Sequence, residues 1–110
     1  MKRFTIYQVS LDPVTGAEMN KTRPCLIVSP DEMNRKLKTV QIVPLTSQFR
    51  DLPIRIKIKA NPLSGLTNDS YAALDQLKTV DKKRLGNRIG NVSDLEAQIV
   101  CDTLLEMYQY

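Results

Sequence analysis

The chain reads as a mostly β protein, a β-rich α+β fold whose short strands make a small, strongly bent sheet or partly open barrel closed by one C-terminal helix. Three observations predict this. Two continuous apolar runs, Pro24–Ser29 and Thr39–Leu45, have the length and β-branched content of central strands covered on both faces. Residues 53–60 alternate Ile54, Ile56 and Ile58 with Arg55, Lys57 and Lys59, the period-two pattern of a half-buried strand. At Ser93 the period changes. Ser93 and Glu96 form a capping box, and Ala97, Val100, Cys101, Leu104 and Tyr108 then fall on one helical stripe.

The remaining elements follow in chain order. Phe4, Ile6 and Val9, set among polar residues, predict a first strand at about residues 4–10. A fifth strand is expected at 70–75 and a shorter sixth near 85–92. The breakers Gly16, Pro30, Asn34, Pro53, Asn61-Pro62, Gly65, Gly86 and Gly90 lie between these pieces. Leu95 and Ile99 fall off the helical stripe and are either scattered surface residues or a contact with a partner subunit. No internal repeat or low-complexity tract is visible, so residues 1–110 are expected to form one domain.

Composition narrows the function. Sixteen Lys and Arg against twelve Asp and Glu give a net charge of +4, which suits a polyanionic or acidic partner. The basic residues are spread over both halves, so no basic tail is expected. The two cysteines, Cys25 in an apolar strand and Cys101 on the apolar helix face, read as buried small hydrophobes. No Cys/His spacing supports a zinc site. Met1-Lys2-Arg3 leads into an alternating strand rather than a signal-peptide core, and no apolar run reaches membrane-spanning length. A cytoplasmic protein with no membrane partner is expected.

Three segments concentrate polar chemistry. The first is Leu11-Asp12-Pro13-Val14-Thr15-Gly16-Ala17-Glu18, followed by Lys21-Thr22-Arg23-Pro24. It sets a carboxylate and a guanidinium around a Gly-containing loop, and Arg23 at the head of a strand is a positioned cation whose fork of donors matches phosphate oxygens. The second, Pro44-Leu45-Thr46-Ser47-Gln48, ends a strand with two hydroxyls and an amide, good donors to an anion or else a self-satisfied turn. The third runs Ser70-Tyr71-Ala72-Ala73-Leu74-Asp75-Gln76, then Lys78-Thr79-Val80-Asp81 and Arg84-Leu85. The basic row Arg55, Lys57 and Lys59 is either a solvated strand face that blunts edge pairing or a track for phosphates.

The order LDPVTGAE, KTRPCLIVSP, VPLTSQ and YAALDQLKTVDKKRL resembles the MazF/PemK (Kid) toxins of bacterial toxin–antitoxin pairs, from about Phe4 to the terminal helix. The resemblance implies an SH3-like barrel of about five to seven strands shared with CcdB, assembled as a homodimer. It places residues matching Glu18, Arg23 and Thr46 in a catalytic site. The implied activity is sequence-specific cleavage of single-stranded RNA to a 2′,3′-cyclic phosphate and a 5′-hydroxyl. It also implies a cognate antitoxin, whose acidic, disordered tail is expected over Arg23 and loops 47–52 and 61–69. Two positions depart from the family. Ala17 stands where Ser or His is common, and Ala73 stands where the Kid branch has an Arg, so Asp75 is expected to lack that partner.

The chemistry must be built without histidine, which is absent, and without a tight acidic cluster for two metals. That leaves cofactor-free attack of the RNA 2′-hydroxyl on its own phosphodiester, which needs a base, donors on the phosphate and a proton for the leaving oxygen. Arg23, Thr46 and Ser47 can supply donors, and Glu18 or Asp75 the base. Lys21, Ser47, Gln48, Arg50, Gln76 and Lys78 are the RNA-binding candidates. Specificity is expected in loops 14–22, 47–52 and 61–69. A CcdB-like topoisomerase inhibitor and a non-catalytic RNA-binding module on the same fold are the other classes open to such a chain.

Overall fold

The computed structural model describes residues 1–11 and 22–110, so the expectations for Ala17, Glu18 and Lys21 fall outside the described residues. Within them the strands are β1 (Thr5–Ser10), β2 (Thr22–Ile27), β3 (Thr39–Thr46), β4 (Arg55–Ile58), β5 (Ser70–Ala73), β6 (Lys78–Asp81) and β7 (Leu85–Asn91). Helix α1 spans Asp31–Lys36 and α2 spans Asp94–Met107. Every pairing is antiparallel, in the order β4-β5-β3-β2-β1-β7, with β6 also alongside β3. The mostly β expectation with a C-terminal helix is met.

β3 organises the sheet. Its first half, Thr39–Ile42, pairs with β6, and its last residues, Leu45 and Thr46, pair with β5. Pro44, which has no N–H to give a ladder, sits where the partner changes. Alternation along β2 and β3 then sends side chains to two cores. Leu26, Val28, Val43 and Leu45 join Ile6, Ile56, Ile58, Leu74, Val92 and Val100 on the face under α2. Cys25, Ile27, Val40 and Ile42 join Val9 and Val80 on the other. Both apolar runs are therefore covered on both faces, as their composition predicted.

No ladder among the described residues joins β4 to β7, and the 61–65 turn bridges the gap. The Asn91 N–H donates to Leu63 O at 2.9 Å, and Gly65 holds a φ of +67° against the Ile89 carbonyl. A Cβ on Gly90 would stand 2.3 Å from Ser64 O and 2.4 Å from Leu63 O, so glycine is what lets the turn close the sheet. The capping box starts α2 as predicted: Ser93 Oγ accepts from the Glu96 N–H at 3.1 Å, and the Ser93 N–H donates to Glu96 Oε1 at 2.9 Å. Glu96 Oε2 also accepts from the Lys59 N–H at 2.8 Å, tying the helix to the end of β4.

Four expectations change. Asn34 is not a breaker but lies inside α1, where its buried amide donates to the carbonyls of Ser29 and Met1 and accepts from Ser29 Oγ. Residues 78–81 form β6, and β7 is a long strand rather than a short one. On α2 the stripe ends with Met107 rather than Tyr108, which is exposed at the C-cap. Cys25 is fully buried, and its thiol is pushed up to about 12 by that burial, whereas Cys101 is only half-buried, where it accepts from Arg3 Nη2 at 3.4 Å.

Candidate nucleic-acid interface

The register of the sheet builds the site. Cys25 opposes Pro44 and Thr46 opposes Tyr71, while Lys57 opposes Tyr71 and Arg55 opposes Ala73. Directly opposed residues share a face, and so do alternate residues of one strand. Arg23, Pro44, Thr46, Tyr71, Ala73, Arg55 and Lys57 therefore stand together on the face away from α2. The same face is apolar at its other end, around Ile27 and Ile42.

Two clefts open beside Arg23 and Thr46. The larger, about 840 Å³, is lined by Leu11, Arg23, Pro44, Thr46, Gln48, Arg50, Leu52, Arg55, Ala73, Asp75, Gln76, Leu77 and Lys78. The smaller, about 310 Å³, is lined by Arg23, Pro24, Leu45, Thr46, Ser47, Leu66, Thr67, Asn68 and Ser70. Of the site residues expected from the sequence, Arg23, Thr46, Gln48, Arg50, Asp75, Gln76 and Lys78 meet in the first cleft, and Ser47 lies in the second. Arg23 and Thr46 line both. The second cleft also takes residues of the 61–69 loop, one of the expected specificity segments.

Local structure aims these groups. Thr46 is the last residue of β3, and its Oγ1 accepts from the Gln48 N–H at 3.2 Å, which leaves the hydroxyl proton free to donate outward. Asp75 and Gln76 sit on a single 3₁₀ turn, Leu74–Gln76, fixed from beneath by the fully buried Leu74. Four cations, Arg23, Arg50, Arg55 and Lys78, line the larger cleft against one carboxylate among its described lining residues, Asp75. The balance attracts a polyanion.

One expectation is overturned here. Asp75 does not lack an arginine: Arg55 Nε donates to Asp75 Oδ1 at 2.7 Å and Arg55 Nη2 to Oδ2 at 2.9 Å. The basic row is likewise neither simply solvated nor a uniform track. The Arg55 side chain is 7% exposed inside the cleft, Lys57 faces Asp69 at 3.7 Å, and Lys59 is exposed. The bonds from Arg55 hold the Asp75 carboxyl below the usual carboxylate range, and the same bonds raise Arg55. Sequence reasoning also passed over Phe49, a 63%-exposed ring set edge-on to Tyr71 at 5.4 Å beside Thr46. An exposed aromatic in the loop after VPLTSQ was its only signal.

The fold and the site together define a small β protein whose bent antiparallel sheet carries a basic, donor-lined cleft suited to a polyanionic chain. Comparison with known proteins makes the class specific. The family model described as "PemK-like, MazF-like toxin of type II toxin-antitoxin system" matches residues 2–108. The chain is 34% identical over 96 residues to Endoribonuclease EndoA of Bacillus subtilis (strain 168), covering 86% of this chain and 82% of that protein. It is 34% identical over 102 residues to Endoribonuclease MazF9 of Mycobacterium tuberculosis (strain ATCC 25618 / H37Rv), covering 87% and 86%. A mycobacterial endoribonuclease solved in complex with its cognate antitoxin superposes with a TM-score of 0.79 at 27% identity, covering 96% of this chain and 92% of that one. The chain belongs to the PemK-like, MazF-like toxin family of type II toxin–antitoxin systems.

Proposed function

We propose that this toxin, an endoribonuclease by family, cleaves single-stranded RNA at the junction of the two clefts, without a metal. The observation that carries the reading is that Arg23 and Thr46 line both clefts. A strand crossing from one to the other would pass its phosphodiester over these two donors while its bases enter the clefts on either side. Single-stranded RNA suits such a surface because unstacked bases can lie against an exposed ring such as Phe49.

The reaction balances with groups of the RNA and this chain. A base takes the proton of the 2′-hydroxyl, the 2′-oxygen bonds to phosphorus, and the bond from phosphorus to the 5′-oxygen breaks. The products are a 2′,3′-cyclic phosphate and a 5′-hydroxyl once the leaving oxygen gains a proton. Arg23 supplies the charged fork on the developing phosphorane charge and Thr46 a neutral donor. Glu18 and Asp75 are the two carboxylates proposed for the base. Ser47, Gln48, Arg50, Gln76, Lys78 and Lys21 bind the strand around them.

Residues 1–110 act as one toxin domain, in the cytoplasm, as a homodimer held in check by an antitoxin. The antitoxin's acidic tail would order over Arg23 and the 47–52 and 61–69 loops, because a polyanionic peptide meets the same cations as RNA. Incubating the purified protein with a long transcript tests the reading. Discrete cuts at one short sequence support it. Intact RNA with retained binding would identify a non-catalytic RNA module, and intact RNA with topoisomerase inhibition a CcdB-like toxin.

A further inference from the structure

Arg55 is placed as no other cation of the cleft is. It sits on β4 directly across from Ala73, and both line the cleft. Its side chain is nearly buried, yet it lines the cleft, and both oxygens of Asp75 grip its Nε and Nη2 edge. A guanidinium carries five N–H donors, so two bonds to Asp75 leave three, including both on Nη1. Arg23 and Arg50, by contrast, are exposed and form no ion pair among the described residues. Holding a long side chain in one rotamer removes the ordering cost that an exposed arginine would meet on binding.

We propose that Arg55 is a further catalytic residue of the cleft, presenting its remaining donors to the reacting phosphate, and that Asp75 is its positioning residue rather than the general base. A carboxylate already accepting two charged N–H bonds has little basicity to offer a hydroxyl, and both its oxygens point at Arg55. Deprotonation of the 2′-hydroxyl then falls to Glu18. The pair also accounts for Ala73: a larger residue there would compete with Arg55 for the same space on the shared face.

The inference rests on the endoribonuclease reading, and single-turnover cleavage of a defined RNA across pH 5–10 separates the two. Wild type, Arg23→Ala, Arg55→Ala, Arg55→Lys and Asp75→Asn are compared. Arg55→Ala should lower kcat about 10²- to 10³-fold, as expected for a lost preorganised donor, with KM changed only a few-fold. Arg55→Lys should recover little, since an ammonium cannot keep the fork. Asp75→Asn should cost about 10- to 100-fold by misplacing Arg55, yet keep the acid limb of the wild-type pH profile. If Arg55→Ala does not fold, Arg55→Gln carries the same expectation. Wild type and Arg55→Ala cleaving equally, with Arg23→Ala inactive, would overturn this inference alone. So would an Asp75→Asn variant whose acid limb has vanished, which would make Asp75 the base. A wild-type protein that cuts no RNA would overturn the endoribonuclease reading and this inference with it.

Discussion

Replacing Arg23 with alanine separates chemistry from folding at one position. Arg23 is exposed, opposes Val9 in the β1–β2 ladder and lies on the wall shared by both clefts. Its backbone pairing survives the substitution, and an exposed side chain outside the core typically changes stability by no more than about 0.5 kcal/mol. Against a domain stability of about 5 kcal/mol or more, that leaves well over ~99% of the protein folded. The loss on the reaction is far larger: removing a preorganised donor from a developing oxyanion costs about 3–4 kcal/mol, or roughly 10²- to 10³-fold in rate. The assay is single-turnover cleavage of a labelled RNA with enzyme in excess, alongside thermal unfolding of the same samples. Expected are a melting temperature within about 4 °C of wild type and a rate down by at least about 10²-fold. Near-normal cleavage by Arg23→Ala would remove the residue from the mechanism. Cleavage lost in proportion to folded protein would make its role structural.

Other consequences follow from single contacts. Ser93→Ala removes the Oγ that accepts from the Glu96 N–H and should cost about 1 kcal/mol in urea titration with an unchanged slope. Gly90→Ala drives a methyl into the carbonyls of Leu63 and Ser64, so it should destabilise far more than Gly86→Ala, whose nearest contact would be an ordinary 3.4 Å, in parallel melts. Titration of thiols at pH 8 should find Cys101 reactive and Cys25 protected until the protein is unfolded. Because burial raises the Cys25 pKa to about 12, the stability gained by keeping it neutral is full below its ordinary value near 9. It fades as pH rises toward 12, and Cys25→Ala should flatten that part of the stability curve.

The parts of the fold carried by local pattern were legible in the sequence. Continuous apolar runs marked β2 and β3, alternation marked β4, and a side-chain cap marked α2. What escaped depended on tertiary partners. Asn34 looks like a breaker until Ser29 and Met1 are brought beside it to satisfy its amide. β6 carries one buried apolar residue, Val80, so its strand character comes from pairing with β3 rather than from any period of its own. The site divided the same way. Arg23, Thr46 and Asp75 stood out because each opens, closes or follows a recognisable strand. Alternation told that Arg55 shares a face with Lys57, but only the β4–β5 register reveals that Ala73 lies opposite and that Asp75 is within reach.

The central claim is metal-free attack by the 2′-hydroxyl over Arg23 and Thr46. Its most direct measurement is cleavage of a long RNA in excess EDTA, with the chemical ends of the fragments identified by mass spectrometry. The account predicts undiminished cleavage leaving a 2′,3′-cyclic phosphate and a 5′-hydroxyl, and no cut where the nucleotide 5′ of the scissile phosphate is 2′-deoxy. Loss of activity in EDTA, or fragments ending in a 3′-hydroxyl and a 5′-phosphate, would contradict it.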